Sequence, residues 1–183
     1  MEDMMTAQNT ALVVVDMQNG FLNEKSRHII PSVVNLVEQM SNRDVPVLFT
    51  KFQNKPCSQY ERLIGWQRLR ESPEIDLTPE LSTFAREVFV KNFYSAFTDA
   101  FSQRVQEAGW TNLVLCGVAT DGCVLKTAID AFERDLTPFI VADACASHAG
   151  QAVHDAGLLL AGRFIGKPQI VTTEAILERV DRG

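Results

Sequence analysis

Six short apolar runs punctuate this chain: ALVVV at 11–15, VPVLFT at 45–50, EVFV at 87–90, NLVLCG at 112–117, PFIVA at 138–142 and PQIV at 168–171. Their continuity, without strict alternation of apolar and polar residues, is the pattern of strands buried on both faces. Several of the intervals have apolar residues at helical spacing. IIPSVVNLVEQMS pairs Val33, Val34, Val37 and Met40, SAFTDAFSQRVQEAG ends at Gly109 as a C-cap, and CVLKTAIDAFERD pairs Val124, Ala128 and Phe132. Such alternation means a parallel sheet covered by helices, an α/β fold of three layers, α/β/α. With 183 residues, 46% of them hydrophobic, the chain can bury one substantial core, and a single domain over 1–183 is expected. The longest irregular stretch, about 52 to 85, holds Pro56, Pro73 and Pro79 and reads as a functional loop region rather than a linker.

Several classes of function are set aside by composition and motif. Net charge is -6, with no run of Lys and Arg interleaved with aromatics, so nucleic acid is not an expected partner. The start, MEDMMTAQNT, lacks the regions of a signal peptide, and no apolar stretch approaches the roughly 20 residues that cross a bilayer; no membrane association and a cytoplasmic location are expected. The segment after the first run, DMQNGFLNE, offers neither GxGxxG nor a P-loop, which argues against a dinucleotide enzyme. Cys57, Cys116, Cys123 and Cys145 have no zinc-ligand spacing and are expected to be free thiols. Cys116 and Cys145 read as small core residues and Cys57 as a loop residue.

In open α/β sheets, ligands bind beyond the carboxyl ends of the strands. The first run ends in Asp16, the third in Lys91, and the fourth leads through GVATDGC, 117–123, to Cys123. Singly, each has an ordinary reading: a turn acid, a solvated cation, a thiol facing the core. Together, an acid, a cation and a thiol at equivalent strand ends form a less accidental set. With Thr120 or Asp121 as N-cap, Cys123 falls in a first helical turn, whose unpaired N–H groups and dipole would lower its pKa. Lys91 would stabilise the thiolate, and Asp16 would accept the thiol proton and return it to a leaving amine. Gly117, Ala119 and Gly122 keep the turn small, so that backbone N–H groups can face a substrate carbonyl oxygen.

ALVVVDMQNGF, FVKNFYSAF and LVLCGVATDGCV, in that order, resemble the signature segments of the isochorismatase-like cysteine hydrolase superfamily, which includes nicotinamidases and N-carbamoylsarcosine amidases. The resemblance runs in outline from residue 11 to about 176, taking in VADACAS and IVTTEAIL. It implies a doubly wound six-stranded parallel sheet of order 3-2-1-4-5-6 and a catalytic triad of Asp16, Lys91 and Cys123. It also implies a cis peptide bond between Val118 and Ala119, and an oxyanion hole from the N–H groups of Ala119 and Cys123. Nicotinamidases hold a metal through an Asp-x-His motif and a further histidine after the second strand. Here LFTKFQNKPCSQYERLIGW has no histidine, so neither a metal nor another cofactor is expected.

Relatives that cleave isochorismate, a vinyl ether, generally lack a cysteine at the nucleophile position, so Cys123 points to amide or carbamoyl hydrolysis. Phe21 matches a substrate-contacting aromatic of the family, and Trp66 lies in the region that walls its site. Val118 joins them as a candidate substrate contact, while core aromatics remain an equal reading of Phe21 and Trp66. Arg62, Arg68 and Arg70 near Trp66 could bind a substrate carboxylate but read better as a solvated helix face, and His28, His148 and His154 read as structural or solvated. The expected protein is a cysteine-dependent hydrolase of a small amide, carbamoyl or ureide compound, acting through a thioester on Cys123 and assembling as a homo-oligomer, dimer or tetramer. The alternatives are a non-catalytic binding or scaffold protein on the same fold and a vinyl ether hydrolase of the isochorismate type.

Overall fold

The structure is a computed structural model describing residues 4–182. Its strands are β1 Thr10–Val15, β2 Val47–Phe52, β3 Val88–Lys91, β4 Asn112–Val118, β5 Thr137–Ala146 and β6 Ile170–Val171. They form one sheet of order β3-β2-β1-β4-β5-β6, every neighbouring pair parallel. Every residue of β1 and β4, the two central strands, is buried, which is what their unbroken apolar runs require. The longer helices are α1 Ile30–Ser41, α4 Asp99–Ala108, α5 Leu125–Phe132, α6 Gln151–Phe164 and α7 Thr173–Asp181; α2 Gln59–Ile64 and α3 Pro79–Ser82 are short. Because β1→β2 and β4→β5 cross over in opposite directions along the sheet, right-handed connections put α1 and α5 on opposite faces. There α1 packs with α3 and α7, and α5 with α6.

The strand order reverses between β1 and β4, so a crevice opens at their carboxyl ends. Gly117 brings the two strands together there. It pairs with Val15, has φ +109°, and a Cβ would lie 2.2 Å from the Val15 carbonyl oxygen, so no other residue fits. Beside it the β4–β5 register shifts between Leu115 and Gly117, which re-aims the chain as it leaves the sheet.

Helix α5 begins two residues later than the pattern from Cys123 sets, because Thr120–Val124 form a separate π-type turn. The N-cap position of that turn is Ala119, with no side-chain cap, so neither Thr120 nor Asp121 has the expected capping role. Gly109 closes α4 in the left-handed conformation, as expected. The sequence pattern did not mark α6, and the reason is physical. Its buried residues are His154, Gly157 and Ala161, while Leu159, Leu160 and Phe164 are exposed. Among the described residues, no helix is long and apolar enough to cross a membrane. Cys116, Cys123 and Cys145 are buried, Cys57 is exposed, and all four thiols are free.

Candidate active site

Asp16 follows the last residue of β1 with φ +48°, a left-handed conformation that a non-glycine residue adopts only when its surroundings hold it. Thr50 of β2 does so from both sides. Its hydroxyl donates to Asp16 Oδ1 at 2.6 Å, and its Oγ1 accepts from the Asp16 N–H at 3.2 Å. The other carboxylate oxygen takes Lys91. Lys91 ends β3, two strands from β1, and its side chain crosses the end of β2, with Nζ 5.4 Å from the centre of the Phe52 ring. It donates to Asp16 Oδ2 at 2.7 Å and to the carbonyls of Phe93 and Tyr94 at 3.1 and 3.0 Å, and lies 3.4 Å from Cys123 Sγ. Both ends of the ion pair are wholly buried. Burial works against the Lys91 charge, but Asp16 and Cys123 outweigh it and hold the ammonium protonated above the ordinary lysine range.

The turn after β4 presents Cys123, only 5% exposed, against this pair. Burial first, and then the negative charge of Asp16, push its thiol well above the ordinary range, while Lys91 pulls the other way. This runs against the expected lowering: burial and the Asp16 charge outweigh Lys91, and the thiol keeps its proton. The peptide bond between Val118 and Ala119 is cis, as the resemblance implies. The N–H groups of Gly122 and Val124 donate to the Ala119 carbonyl at 3.0 and 3.1 Å, which removes them as donors to a ligand. Gly122 is not crowded, since a Cβ there would meet only the Ala119 Cβ at 3.9 Å. Val118 is fully buried and does not line the crevice, so its place among the substrate contacts is withdrawn.

Above Cys123 stands a cavity of about 470 Å³ walled by Phe21, Phe52, Tyr60, Trp66, Tyr94 and His148. Phe21 and Trp66 are therefore brought to the site together. Phe21 is the middle ring of a column, stacked 5.7 Å from Trp66 and 5.6 Å from His148. Tyr60 stands edge-on to Phe52 at 5.1 Å and to Tyr94 at 5.2 Å. Partial burial in the wall raises both phenols above the ordinary tyrosine range and lowers His148 below the ordinary histidine range, although Tyr94 and His148 each keep an exposed edge, and these groups are neutral near pH 7. His148, itself exposed, thus lines the site, which the sequence does not lead one to expect, whereas His28 lies off the cavity and His154 is buried behind it.

Two amides hold this wall in place. Gln18 donates to the Phe52 and Ile75 carbonyls, each at 2.9 Å, and accepts from the Phe52 N–H at 2.7 Å. Asn54 donates to the Trp66 carbonyl at 3.2 Å and accepts from Ser58, the N-cap of α2, at 2.7 Å. Charged lining is sparse: Asp121, and Lys126, which is ion-paired with Asp130. Arg68 and Arg70 pair with Glu74 and Glu61, both at 2.7 Å, and Arg62 donates to Gln59; none of them lines the cavity. The residues also do not fit a metal of the nicotinamidase kind. After β2 the chain supplies Gln53, Asn54 and Lys55, and among the described residues no group of three or more His, Cys, Asp or Glu is placed to hold an ion.

A doubly wound α/β sheet with an acid, an ammonium and a thiol converging at its switch point defines a class of proteins that take small molecules at the strand ends. Within that class the chain belongs to the isochorismatase family, and the Isochorismatase domain matches residues 10–167. Enterobactin synthase component B of Escherichia coli strain K12 is 32% identical over 186 residues, covering 93% of this chain and 63% of that protein, so the chain spans less than two thirds of this relative. Nicotinamidase 3 of Arabidopsis thaliana is 28% identical over 157 residues, 81% of this chain and 78% of that protein. Among solved structures, the nicotinamidase PncA of Bacillus subtilis superposes with a TM-score of 0.78 at 26% identity, covering 90% of this chain and 99% of that one. An isochorismatase-like hydrolase from Alkaliphilus metalliredigens, at 24% identity, shares the fold with a TM-score of 0.82, covering 93% of this chain and 98% of that one.

Proposed function

We propose that this chain is a cysteine hydrolase that cleaves the C–N bond of a small, largely uncharged amide, carbamoyl or ureide compound. The observation that carries the reading is the buried contact of Lys91 Nζ with both Asp16, at 2.7 Å, and Cys123 Sγ, at 3.4 Å. Asp16 takes the thiol proton as sulfur attacks the carbonyl carbon, and Lys91 keeps the carboxylate oriented and the developing thiolate neutralised. The oxygen of the adduct is received by the N–H groups of Ala119 and Cys123. Its collapse breaks the C–N bond, Asp16 hands the proton to the leaving nitrogen, and an acyl group remains on Cys123 as a thioester. Asp16 then deprotonates a water that attacks the thioester, and the returning proton restores the thiol.

The cavity supports an uncharged substrate. Its one ammonium, Lys126, is already paired with Asp130, and Asp121 would repel a carboxylate. That disfavours a vinyl ether carrying carboxylates, while similarity to nicotinamidases supports an amide. The test is ammonia release from a panel of amides, carbamoyl compounds and ureides, with rapid-quench mass spectrometry on the best substrate. Wild type should accumulate an acyl adduct on Cys123, and Cys123→Ala should lose at least about 10³-fold in turnover while keeping its fold. Near wild-type turnover by Cys123→Ala would reject the cysteine mechanism, and inertness across the panel would favour a binding protein on this fold.

A further inference from the structure

The turn that bears Cys123 has the site on one side and α6 on the other. We propose that α6 is a backstop that fixes this turn from behind, with Gly157 and His154 as positioning residues; the proposal rests on the cysteine mechanism above. The buried stripe of α6 is His154, Gly157 and Ala161, where a helix against a sheet ordinarily puts large apolar side chains. Glycine inside a helix is less stable than alanine, so its presence calls for a steric cause. A Cβ on Gly157 would stand 2.9 Å from the Asp121 nitrogen, 3.0 Å from the Asp121 Cα and 3.1 Å from the Thr120 carbonyl carbon. All three are backbone atoms of the turn and cannot yield without carrying it along. Gly162, in the same helix, makes the contrast: a Cβ there would come no closer than 3.4 Å, to Cγ of the flexible Lys167 side chain, with the Lys167 Cα at an ordinary 4.0 Å.

Three residues before Gly157, and so on the same face of α6, His154 Nδ1 shares a buried 2.8 Å hydrogen bond with Thr120 Oγ1. Thr120 lies between Ala119 and Cys123, the two residues whose N–H groups would receive the oxyanion. The turn lacks a side-chain cap of its own, and the hydrogen bond to His154 with the close approach of Gly157 takes that place. Such a backstop acts on carbonyl addition, which needs both donors and sulfur in register. It acts little on a displacement that uses sulfur alone.

That difference gives the experiment. p-Nitrophenyl acetate acetylates a cysteine by carbonyl addition with loss of p-nitrophenolate, whereas iodoacetamide alkylates it by displacing iodide. Both reactions are followed at Cys123 by peptide mass in the full chain, with thermal unfolding measured alongside. Gly157→Ala should slow acetylation by about 10- to 100-fold, as misplacement by a fraction of an ångström does, and change alkylation by less than about threefold. Gly162→Ala should leave both rates as in wild type. Thr120→Val should slow acetylation about three- to tenfold, and Thr120→Ser should restore it. Wild-type acetylation in Gly157→Ala, or equal slowing of both reactions, would overturn the proposal. Should Gly157→Ala fail to fold, wild-type acetylation in Thr120→Val overturns it instead. If wild type itself is never acetylated at Cys123, the cysteine mechanism fails and the backstop falls with it.

Discussion

The floor and the wall of the site are built by different means. On the floor, Asp16, Lys91 and Cys123 each leave a strand end, are buried, and are bound by neighbouring strands or by one another. The wall is drawn from scattered stretches: Phe21 after β1, Phe52 at the end of β2, Tyr60, Ile64 and Trp66 from the segment that follows, and Tyr94 and His148 from elsewhere. Part of it faces solvent, Tyr94 being 47% and Ile64 64% exposed, and its backbone hangs on two amides, Gln18 and Asn54. The difference implies a division of labour. Sheet geometry fixes the chemistry, while the wall can be recut to change selectivity without disturbing it.

Asp16→Asn should break the floor most severely. It strands a buried ammonium without its counter-charge, for which a loss of about 3–5 kcal/mol in stability is expected, together with near-complete loss of turnover. Urea unfolding and ammonia release measure the two, and an Asn variant with wild-type stability would show that the pair does not hold the floor. A milder change tests the wall. Trp66→Ala should lower kcat/KM by about 10- to 30-fold, chiefly through KM, with kcat within about threefold and little change in unfolding. A kcat loss as large as the loss in kcat/KM would erase the proposed division.

The smallest expected effect concerns pH, and the two regions differ in sign. Cys145, on β5 beneath the floor, is pushed up to about 12, chiefly by burial, and the Asp143 charge adds to the rise. The unfolded chain releases this proton near pH 8.5, so the contribution is whole below that pH and fades as pH rises toward the folded value. Between pH 8.5 and 9.5 wild type should lose about 1 kcal/mol more than Cys145→Ala, read from urea midpoints. His148 of the wall behaves oppositely. Its folded value is lowered, chiefly by burial, so its contribution is present above about pH 6.5 and lost on acidification. His148→Phe should flatten the acid limb of the stability curve and leave the alkaline limb unchanged.

The same contrast governs what the sequence could disclose. Continuous apolar runs located the strands; Asp16 and Lys91 stand directly after such runs, and Cys123 follows one through the turn that leaves it, where fold rules say to look. The wall had no such marker. Tyr60, Tyr94 and His148 come from unrelated stretches and meet only after folding, while Gln18 and Asn54 act through backbone carbonyls that no side-chain pattern foretells. Helix α6 carries no clear pattern because its buried stripe holds His154 and Gly157, whereas Leu159, Leu160 and Phe164 face outward. The protonation of Cys123 was misjudged for a related reason. A helix terminus is visible in sequence, but the depth of desolvation is not.

Lys91 has one more consequence, which concerns the edge of the sheet. β3 is four residues long, Val88 and Val90 are exposed, and Phe89, edge-on to Phe101 at 5.2 Å, gives the strand a single partly buried apolar anchor. The one fully buried residue of the strand is Lys91, opposite Phe52, with its ammonium anchored on Asp16 beyond. A slip by one residue would turn that side chain to the other face of the sheet and leave both charges of the pair alone. The group proposed to steady the nucleophile is thus also a pin that, with Phe89, selects one pairing of a short edge strand, so under that proposal catalytic competence reports that the last strand on that side has found its register.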